Sequence, residues 1–264
     1  MDKKIKLAVI GKPIGHSKSP EIHQHFANQF DAKIEFRKDE VTPETLETWL
    51  ADFFSDDGKG VSITLPLKEA ALNYADEISD RARLASACNV IYANDEKLFA
   101  DCTDGFGLIK DLEENLKVSL KDKKILILGA GGAARGIIPS IIERDPVSLK
   151  IANRTEHKAL VLKKDLEGKV DLKGKSLIFE AGGLSDDFLL ADSYDLVINS
   201  TSVSTQAGES IGLPKALFTR TKLAYDLFYS AQNTVFMQDA LAAGAEKTSD
   251  GWGMLVEQGA ESFR

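Results

Sequence analysis

A glycine-rich turn between a strand and a helix constrains the fold of this chain more than any other feature. The apolar residues 125–128 run into Gly129-Ala130-Gly131-Gly132-Ala133-Ala134. In this Gly-x-Gly-x-x-Ala spacing, the first glycine permits a tight turn, the second lets the backbone approach a pyrophosphate, and the small third residue lets helix and strand pack closely. The helix that follows presents free N–H groups to an anion. The pattern therefore predicts a parallel βαβ unit that binds a dinucleotide at this turn.

The residues after the second strand of this unit indicate which dinucleotide is bound. Residues 149–152 form a second apolar run, and Asn153, Arg154 and Thr155 follow it. An acidic residue here would accept hydrogen bonds from a ribose 2′-hydroxyl, whereas the planar cation of Arg154 matches a 2′-phosphate. We therefore expect NADP and not NAD. Two simpler interpretations remain at this point: a glycine turn that is purely structural, and an arginine that is only a solvated surface charge.

Composition and charge exclude several classes of protein. The chain has 264 residues and a formal net charge of −8, and no basic stretch dominates it, which argues against general nucleic-acid binding. Its two cysteines, Cys88 and Cys102, lack zinc-site spacing, so no metal is expected. The N-terminal apolar run is too short for a signal peptide, and no run approaches the ~18 apolar residues of a membrane span. We expect a cytoplasmic protein, monomeric or homodimeric, without membrane or nucleic-acid partners.

Strand and helix patterns alternate along the first hundred residues, which indicates a mostly parallel sheet. Ser19 is predicted as the N-cap of the first helix, with Pro20 at the first helical position. Strands are predicted at residues 7–10, 33–40 and 61–65, and a hairpin at 90–93 and 98–100.

The glycine turn opens a second unit, so we predict an α/β protein with two α/β domains. Residues 1–105 form a substrate-binding and catalytic domain, and residues 106–239 form a Rossmann-like domain that binds NADP. The C-terminal helix, about residues 240–264, is expected to pack back onto the first domain. Cofactor and substrate should meet in the cleft between the domains. Further strands are predicted at 177–180, 196–199 and 222–227, and helices at 105–118, 232–243 and 253–263.

Two charged residues stand where strands of the first domain end, and they are candidates for proton transfer. They are Lys68 and Asp104. An enzyme that interconverts an alcohol and a ketone with a nicotinamide needs one group that shuttles the hydroxyl proton. A Lys and an Asp brought together at a cleft would share this work, although most single Lys and Asp side chains are simply solvated. A histidine-based dehydrogenase is not favoured, because no carboxylate partner is evident for His16, His23, His25 or His157.

Several separated motifs form one pattern over nearly the whole chain. They are His16-Ser17-Lys18-Ser19-Pro20, Ser62-Ile63-Thr64-Leu65-Pro66-Leu67-Lys68, Asn89 with Thr103-Asp104-Gly105, the glycine turn with Asn153-Arg154-Thr155, Ile198-Asn199-Ser200-Thr201-Ser202, Asp226-Leu227-Phe228-Tyr229 and Gly253-Met254-Leu255-Val256-Glu257-Gln258. In this order and spacing they resemble the shikimate dehydrogenase family. The resemblance implies reversible, NADPH-dependent reduction of 3-dehydroshikimate to shikimate, in chorismate and aromatic amino-acid biosynthesis.

The resemblance also implies roles for individual residues. Lys68 would transfer the proton and be paired with Asp104. The carboxylate of the substrate would be bound by Ser17, Ser19 and Tyr229. Its ring hydroxyls and carbonyl would be held by Thr64, Asn89, Asp104 and Gln258. The cofactor would be bound by Gly129, Ala130, Gly131, Gly132, Ala133, Asn153, Arg154, Thr155, Thr201, Leu227, Gly251 and Met254, with Gly251 and Met254 against the nicotinamide.

Three positions depart from the family pattern. Ser62 and Cys102 stand where the family usually has Asn, and Val90 stands where it has Thr. Each is expected to touch or border the substrate pocket, which leaves quinate or a related cyclohexane carboxylate open as a substrate. The sequence also leaves open a quinate/shikimate dehydrogenase that uses NAD and a non-catalytic NADP-binding sensor on the same scaffold. Arg154 argues against the first, and the presence of both Lys68 and Asp104 argues against the second.

Overall fold

A computed structural model gives the fold of residues 4–172, 175–205 and 208–264. The strands of its first sheet are β1 (Ile5–Gly11), β2 (Ile34–Glu40), β3 (Gly58–Ile63), β4 (Glu77–Ile78), β5 (Val90–Asn94) and β6 (Lys97–Asp101). Their order in the sheet is β2-β1-β3-β5-β6-β4. β1 runs parallel to β2 and β3, and β4 runs parallel to β6, whereas β5 is antiparallel to β3 and β6. The predicted mostly parallel sheet and the predicted hairpin are confirmed.

Four α-helices in the described part of the chain accompany the first sheet. They are α1 (Ser19–Gln29), α2 (Leu46–Ser55), α3 (Lys68–Ala71) and α4 (Asp80–Ala85). On α2, for example, Leu46, Leu50 and Phe53 fall on one side and join the core residues of β1. The strand β4 and the helix α4 were missed by the sequence patterns, because two and six residues are too few to show a periodicity.

The start of α1 differs from the prediction. The helix begins at Ser19 itself, Lys18 occupies the N-cap position, and Pro20 is the second helical residue. The hydroxyl of Ser19 lies 3.3 Å from the hydroxyl of Ser17 in the preceding loop. The N-cap prediction for Ser19 is therefore wrong, because its side chain takes a partner in the loop and does not cap the helix.

The second sheet is fully parallel. Its strands are β7 (Lys124–Leu128), β8 (Ser148–Ala152), β9 (Ile178–Gly182), β10 (Leu196–Asn199), β11 (Leu223–Asp226) and β12 (Lys247–Ser249). Their order is β12-β11-β10-β7-β8-β9, which confirms the predicted Rossmann-type sheet. The order reverses between β7 and β10, and doubly wound sheets bind ligands at the carboxyl ends of the strands at such a point. The helices of this part are α6 (Gly132–Ile142), α7 (Glu156–Glu167), α8 (Asp186–Leu189) and α9 (Val235–Ala242).

Two helices lie between the sheets. α5 (Asp104–Lys110) continues into a π-helical turn, Asp111–Asn115, and α10 (Trp252–Phe263) ends the chain. α10 packs against both α5 and α1. The helix predicted at 105–118 ends earlier, because Lys117 has a φ of 58°, a left-handed conformation that does not continue a helix.

Two further properties concern the described residues 4–172, 175–205 and 208–264. Within these ranges, no helix combines the length and the apolar character needed to cross a membrane. The same ranges contain no group of three or more His, Cys, Asp or Glu side chains arranged to hold a metal ion. Cys88 and Cys102 are buried free thiols. Burial raises the pKa of both, that of Cys88 to about 12, so both stay protonated near neutral pH.

Candidate active site

Lys68 and Asp104 meet beyond the carboxyl ends of β3 and β6 of the first sheet. Lys68 begins α3 after the loop that follows β3, and Asp104 begins α5 after β6. Lys68 Nζ donates a hydrogen bond to Asp104 Oδ2. Only 14% of the Lys68 side chain and 5% of the Asp104 side chain are exposed. Because little water screens this ion pair, the two groups hold each other in a defined position.

Asn89 connects this pair to the C-terminal helix. It lies just before β5, and its amide Nδ2 is 3.2 Å from Asp104 Oδ1 and 2.8 Å from Gln258 Oε1 on α10. The same nitrogen is 2.7 Å from Thr103 Oγ1, and Asn89 Oδ1 accepts a hydrogen bond from the Thr103 N–H at 2.8 Å. Three of the predicted site residues are therefore brought together around one amide.

Thr103 was not named as a site residue by the sequence patterns, although it stands beside Asp104 in the Thr103-Asp104-Gly105 motif. It is fully buried, and its hydroxyl lies 3.1 Å from the carbonyl oxygen of Gln258 and 3.0 Å from Ser262 Oγ. Thr103 therefore links the segment after β6 to α10 by hydrogen bonds. The sequence does show a hydroxyl residue next to the predicted site residue Asp104. It does not show that this hydroxyl is buried.

Ser17, Ser19 and Tyr229 form a second polar group. Each serine is only 7% exposed. Tyr229 reaches them from the loop after β11 of the other sheet, and its hydroxyl accepts a hydrogen bond from the Lys18 N–H at 3.2 Å. Burial raises the pKa of Tyr229, so the phenol stays protonated and is able to donate. Neutral donors of this kind suit a carboxylate.

Positive charge lies close to this serine group. Lys38 Nζ donates to the carbonyl oxygen of Gly15 at 3.3 Å. Burial, and then the charge of Lys38, lower the pKa of His16, so the imidazole stays neutral and the lysine supplies the local positive charge. A chain with a net charge of −8 needs such a local cation to attract an anionic ligand.

Thr64 lies in the loop between β3 and α3, close to the end of β1. A Cβ atom at Gly11 would lie 2.5 Å from Thr64 Cγ2, so the threonine fills the space that only a glycine leaves open. Its N–H donates to the carbonyl oxygen of Ile10 at 3.0 Å, and its carbonyl accepts from the Leu67 N–H at 2.9 Å. These bonds set the loop that leads into Lys68.

The glycine turn combines one tightly packed glycine with one that is open to its surroundings. Gly129 has a φ of 110°, which favours glycine, and a Cβ atom there would lie 2.5 Å from Ser200 Oγ. The space at Gly131 is open, since a Cβ atom there would have no described atom within 4 Å. The first turn of α6 consists of Gly132, Ala133, Ala134 and Arg135, so its N–H groups face the turn without an acidic neighbour in that turn. Ala130 and Ala133 are partly exposed beside these glycines.

The predicted 2′-phosphate site lies at the same edge of the sheet. Leu128 pairs with Ala152, and the Gly129 N–H donates to the carbonyl oxygen of Ala152 at 2.8 Å, so the residues that follow both strands are neighbours. Asn153 Nδ2 donates to the carbonyl oxygen of Thr155 at 2.9 Å, which shapes the turn. Arg154 and Thr155 are exposed. A cation and a hydroxyl at this place fit the phosphorylated dinucleotide.

The loops after β10 and β11 supply the remaining predicted cofactor residues. Thr201 follows β10, and its hydroxyl donates to Asn199 Oδ1 at 2.7 Å. Leu227 follows β11, and a Cβ atom at Gly251 would lie 2.2 Å from its carbonyl oxygen, so only glycine fits there. Met254 is 8% exposed on the first turn of α10.

Asn199 and Asp226 brace these loops, and neither was predicted as a site residue. Asp226 is fully buried and accepts hydrogen bonds from the side chains of Asn199, Ser204 and Thr234 at 3.0, 2.6 and 2.7 Å. Burial raises the pKa of the Asp226 carboxyl, while these hydrogen bonds oppose the shift. The signal was present, since both residues end apolar strands.

The two halves of the site are in direct contact through α6. A Cβ atom at Gly132 would lie 3.0 Å from Lys68 Cβ, and one at Gly136 would lie 2.7 Å from Asp104 Oδ2. The first residue of α6 therefore packs against Lys68, and Gly136 in its second turn packs against Asp104. Cys102 is 2% exposed and its Sγ lies 4.0 Å from the Gly136 carbonyl oxygen, so it faces α6. A Cβ atom at Gly136 would lie 3.1 Å from Cys102 Sγ and 2.7 Å from Asp104 Oδ2, so the thiol lies beside Asp104, and its place at the border of the substrate pocket stays a prediction.

The remaining two departures from the family pattern face each other. Ser62 on β3 pairs directly with Val90 on β5. A short hydroxyl and an apolar side chain thus stand side by side where the family pattern has an amide and a hydroxyl.

The second sheet is doubly wound and has a glycine turn where its strand order reverses. The helix after this turn packs against a buried Lys–Asp pair of the other α/β unit. This combination defines a dinucleotide-dependent oxidoreductase. Comparison with known proteins identifies which one. A family model for the shikimate dehydrogenase substrate binding domain matches residues 9–91, and one for shikimate / quinate 5-dehydrogenase matches residues 111–221. The chain belongs to the shikimate dehydrogenase family.

Individual relatives match over nearly the full length. A shikimate dehydrogenase (NADP(+)) from Chromobacterium violaceum is 42% identical over 98% of this chain and 91% of its own length. The crystal structure of an Ael1 enzyme from Pseudomonas putida matches with a TM-score of 0.85 at 38% identity, covering 98% of this chain and 92% of that one. Shikimate 5-dehydrogenase from Thermus thermophilus, in complex with NADP(H) and shikimate, matches with a TM-score of 0.84 at 30% identity, covering 98% of this chain and 92% of that one.

Proposed function

We propose that this protein reduces 3-dehydroshikimate to shikimate with NADPH, reversibly, as a step of chorismate and aromatic amino-acid biosynthesis in the cytoplasm. The observation that carries the proposal is the buried Lys68–Asp104 pair packed against Gly132 and Gly136 of α6, the helix that follows the glycine turn. Relatives that cover almost the whole chain carry the name shikimate dehydrogenase (NADP(+)). The Thermus thermophilus relative binds NADP(H) and shikimate in its crystal structure.

Lys68 and Asp104 manage the proton. When bound, NADPH supplies a hydride to the carbonyl carbon of the substrate. The Lys68 ammonium gives a proton to the carbonyl oxygen, which becomes the alcohol oxygen, and in the reverse direction the neutral amine takes this proton back. Asp104 keeps the ammonium aimed at that oxygen, because Asn89 holds the second carboxylate oxygen at 3.2 Å.

The substrate is held mainly by neutral donors. Ser17, Ser19 and Tyr229 bind its carboxylate, in the positive potential of Lys38. Thr64, Asn89, Asp104 and Gln258 hold the ring hydroxyls and the carbonyl. A small, highly oxygenated acid suits this set, because each polar group that loses water on binding needs a hydrogen-bond partner.

The cofactor is held along the carboxyl edge of the second sheet. Gly129, Ala130, Gly131, Gly132 and Ala133 bind the pyrophosphate, and Asn153, Arg154 and Thr155 bind the 2′-phosphate. Gly251 and Met254 would hold the nicotinamide, and Thr201 and Leu227 would complete the cofactor site. The open space at Gly131 supports this arrangement, since a phosphate needs close approach to the backbone.

We assign the substrate domain to residues 1–105 and the NADP-binding domain to residues 106–239. The packing of α10 (Trp252–Phe263) on α1 supports the return of the C-terminal helix to the substrate domain, whereas β12 (Lys247–Ser249) pairs with β11 and extends the NADP-binding domain beyond residue 239. The active unit is a monomer or a homodimer.

Reduced-nicotinamide absorbance, followed with shikimate or quinate and with NADP or NAD, tests the function. We expect the highest kcat/KM for shikimate with NADP. A preference for quinate would agree with the Ser62–Val90 pair and would replace the substrate assignment. Turnover with NAD at equal efficiency would contradict the cofactor assignment. NADP binding without turnover in any combination would favour the non-catalytic sensor.

A further inference from the structure

α5 and its π-helical turn (residues 104–115) are called the connecting helix here, and its second buried carboxylate has no role in the proposed reaction. Asp111 stands seven residues after Asp104, in the π-helical turn that follows α5, and is 4% exposed. Its Oδ2 accepts a hydrogen bond from the Tyr225 hydroxyl at 2.7 Å, and its Oδ1 accepts one from Asn115 Nδ2 at 2.9 Å. Tyr225 is fully buried on β11 of the NADP-binding sheet. Asp111 therefore links the connecting helix to that sheet.

Asp111 also touches the beginning of α10. A Cβ atom at Gly253 would lie 1.9 Å from Asp111 Oδ1, so the carboxylate occupies the space that a side chain at position 253 would need. The N-cap residue of α10 is Gly251, which has no side chain, and Asp250 just before it accepts a hydrogen bond from the Trp252 N–H at 3.2 Å. A negative charge at a helix N-terminus is favourable. Asp111 adds a second negative charge there, from another element.

Lys110 forms an ion pair with Glu257 of α10 at 3.0 Å, and two glycine contacts further set the position of α10 along the connecting helix. At the far end, Asp111 lies against Gly253. Nearer to Asp104, a Cβ atom at Gly107 would lie 2.7 Å from the Met254 carbonyl oxygen and from the Gln258 N atom, so the two helices are in backbone contact. A shift of α10 along α5 would move Met254 and Gln258 together relative to Asp104.

We propose that Asp111 is a positioning residue for hydride transfer: held by Tyr225, it sets the position of α10 along α5, and through α10 it places Met254 and Gln258 relative to Asp104. This inference rests on the proposed function. The link persists over the working pH range, because burial and then the negative charge of Asp111 raise the pKa of Tyr225 and keep its phenol protonated.

The variants Tyr225→Phe and Asp111→Asn test the inference, with Tyr194→Phe as the matched control. Tyr194 is another buried tyrosine of this domain, and its hydroxyl has no hydrogen-bond partner among the described residues. We expect both test variants to lower kcat by about tenfold and to raise KM for shikimate, because small displacements at a reacting centre reduce rates steeply. KM for NADP should stay unchanged, because its phosphates are held at the glycine turn and at Arg154.

A kinetic isotope effect separates positioning from mere stability. With shikimate deuterated at the carbon that gives up the hydride, the isotope effect on kcat/KM should rise in Tyr225→Phe, as hydride transfer becomes more rate-limiting. A loss of folded protein lowers the measured rate without changing the isotope effect or KM. An unchanged isotope effect and an unchanged KM for shikimate in Tyr225→Phe would overturn the inference while leaving the proposed function intact. Absence of turnover by the unmodified protein would overturn the proposed function, and the inference with it.

Discussion

At the scale of single residues, burial separates the Lys68–Asp104 pair from a typical ion pair of the protein surface. Lys59 and Asp57 form a bridge of 2.7 Å, but 50% and 36% of these side chains are exposed. Such a surface pair contributes about 0–1 kcal/mol. Removing one partner of a buried pair costs about 3–5 kcal/mol, because the remaining charge loses its compensation. Lys68 and Asp104 therefore affect both stability and chemistry, and each variant needs both measurements.

Replacing Lys68 by alanine should reduce kcat by roughly 10²- to 10⁴-fold, the usual effect of losing a general acid–base group. The change in KM should be smaller, because Ser17, Ser19 and Tyr229 remain. The measurement is the steady-state rate of NADP reduction with shikimate, corrected for the folded fraction by thermal unfolding. Lys59→Ala is the control and should keep the normal rate.

A Lys68→Ala protein with near-normal kcat would rule this lysine out as the proton-transfer group. The double variant with Asp104→Asn gives a second check. Its loss should be far smaller than the product of the two single losses, because groups that act as a unit are not additive.

Arg154 is exposed, so its charge serves selectivity more than folding. Arg154→Asp should lower kcat/KM for NADP by about 10- to 100-fold, the size of a lost charge-assisted hydrogen bond. The value for NAD should change much less, because NAD lacks the 2′-phosphate. Arg220→Asp reverses another exposed arginine and should affect both cofactors alike. Equal losses with both cofactors in Arg154→Asp would remove the 2′-phosphate assignment.

At the scale of elements, α6 performs two tasks. Its N-terminus forms part of the glycine turn, and its side packs on the proton-transfer pair through Gly136. A Cβ atom at Gly136 would lie 2.7 Å from Asp104 Oδ2 and 3.1 Å from Cys102 Sγ. The helix therefore approaches the pair at backbone distance only because position 136 has no side chain.

Gly136→Ala is expected to be destabilising despite the gain in helix propensity. Alanine is favoured over glycine by about 1 kcal/mol inside a helix, whereas overpacking a tight contact costs about 1–3 kcal/mol. The Asp104 carboxylate must also move, so kcat should fall by about tenfold. Chemical denaturation and steady-state kinetics measure the two effects. In the control Gly168→Ala the nearest atom is 3.5 Å away, and both quantities should stay close to normal. Unchanged kcat in Gly136→Ala would show that this contact does not position Asp104.

At the scale of the whole molecule, the two α/β units are tied together beside the active site. Arg135 of α6 forms ion pairs with Glu69 of α3 at 3.2 Å and with Asp165 of α7 at 2.7 Å, and 13% of its side chain is exposed. Ser86 of the first unit donates to Asp165 at 3.2 Å. On the opposite side, α10 returns to α1, where His23 packs against Phe26, Phe36 and Phe263. The relative placement of the units therefore depends on both contacts.

The docking of α10 on α1 should make stability sensitive to pH. Burial lowers the pKa of His23 from its ordinary value of 6.5, so the folded state stays neutral where the unfolded chain takes up a proton. Stability is therefore lost as the pH falls below that value. For each such histidine, the free energy of unfolding falls by up to ~1.4 kcal/mol per pH unit below that value. The variant His23→Phe retains an aromatic ring and should lose this contribution, as measured by urea unfolding at several pH values.

His16 is unchanged in that comparison, so the difference between the two proteins isolates His23. His157→Phe alters an exposed histidine and should keep the pH dependence of the unmodified protein. An identical pH dependence in His23→Phe would show that His23 is protonated equally in the folded and unfolded states.

Local sequence patterns predicted most of the secondary structure, the cofactor and the family. Apolar runs and turn residues placed most strands and helices, since periodicity and turn preference act over a few neighbouring residues. The glycine spacing with Arg154 indicated the cofactor, and the ordered motifs indicated the family. The short elements β4 and α4, the start of α1 and the end of the helix after Asp104 were not predicted correctly. In each case a local signal was too short or was overridden by a tertiary partner.

Only the tertiary structure decided how the site is assembled. Asn89, Thr103 and Gln258 are far apart in sequence, and one amide joins them because β5, β6 and α10 converge. Burial and long-range packing likewise decide three other contacts. These are the contact of Cys102 with α6, the hydrogen bonds of Asp226 to the loops after β10 and β11, and the contact of Asp111 with α10. The sequence by itself therefore determined which chemical groups are present and in what order. Folding decided which of them meet, because contacts between distant segments depend on the geometry of whole sheets and helices.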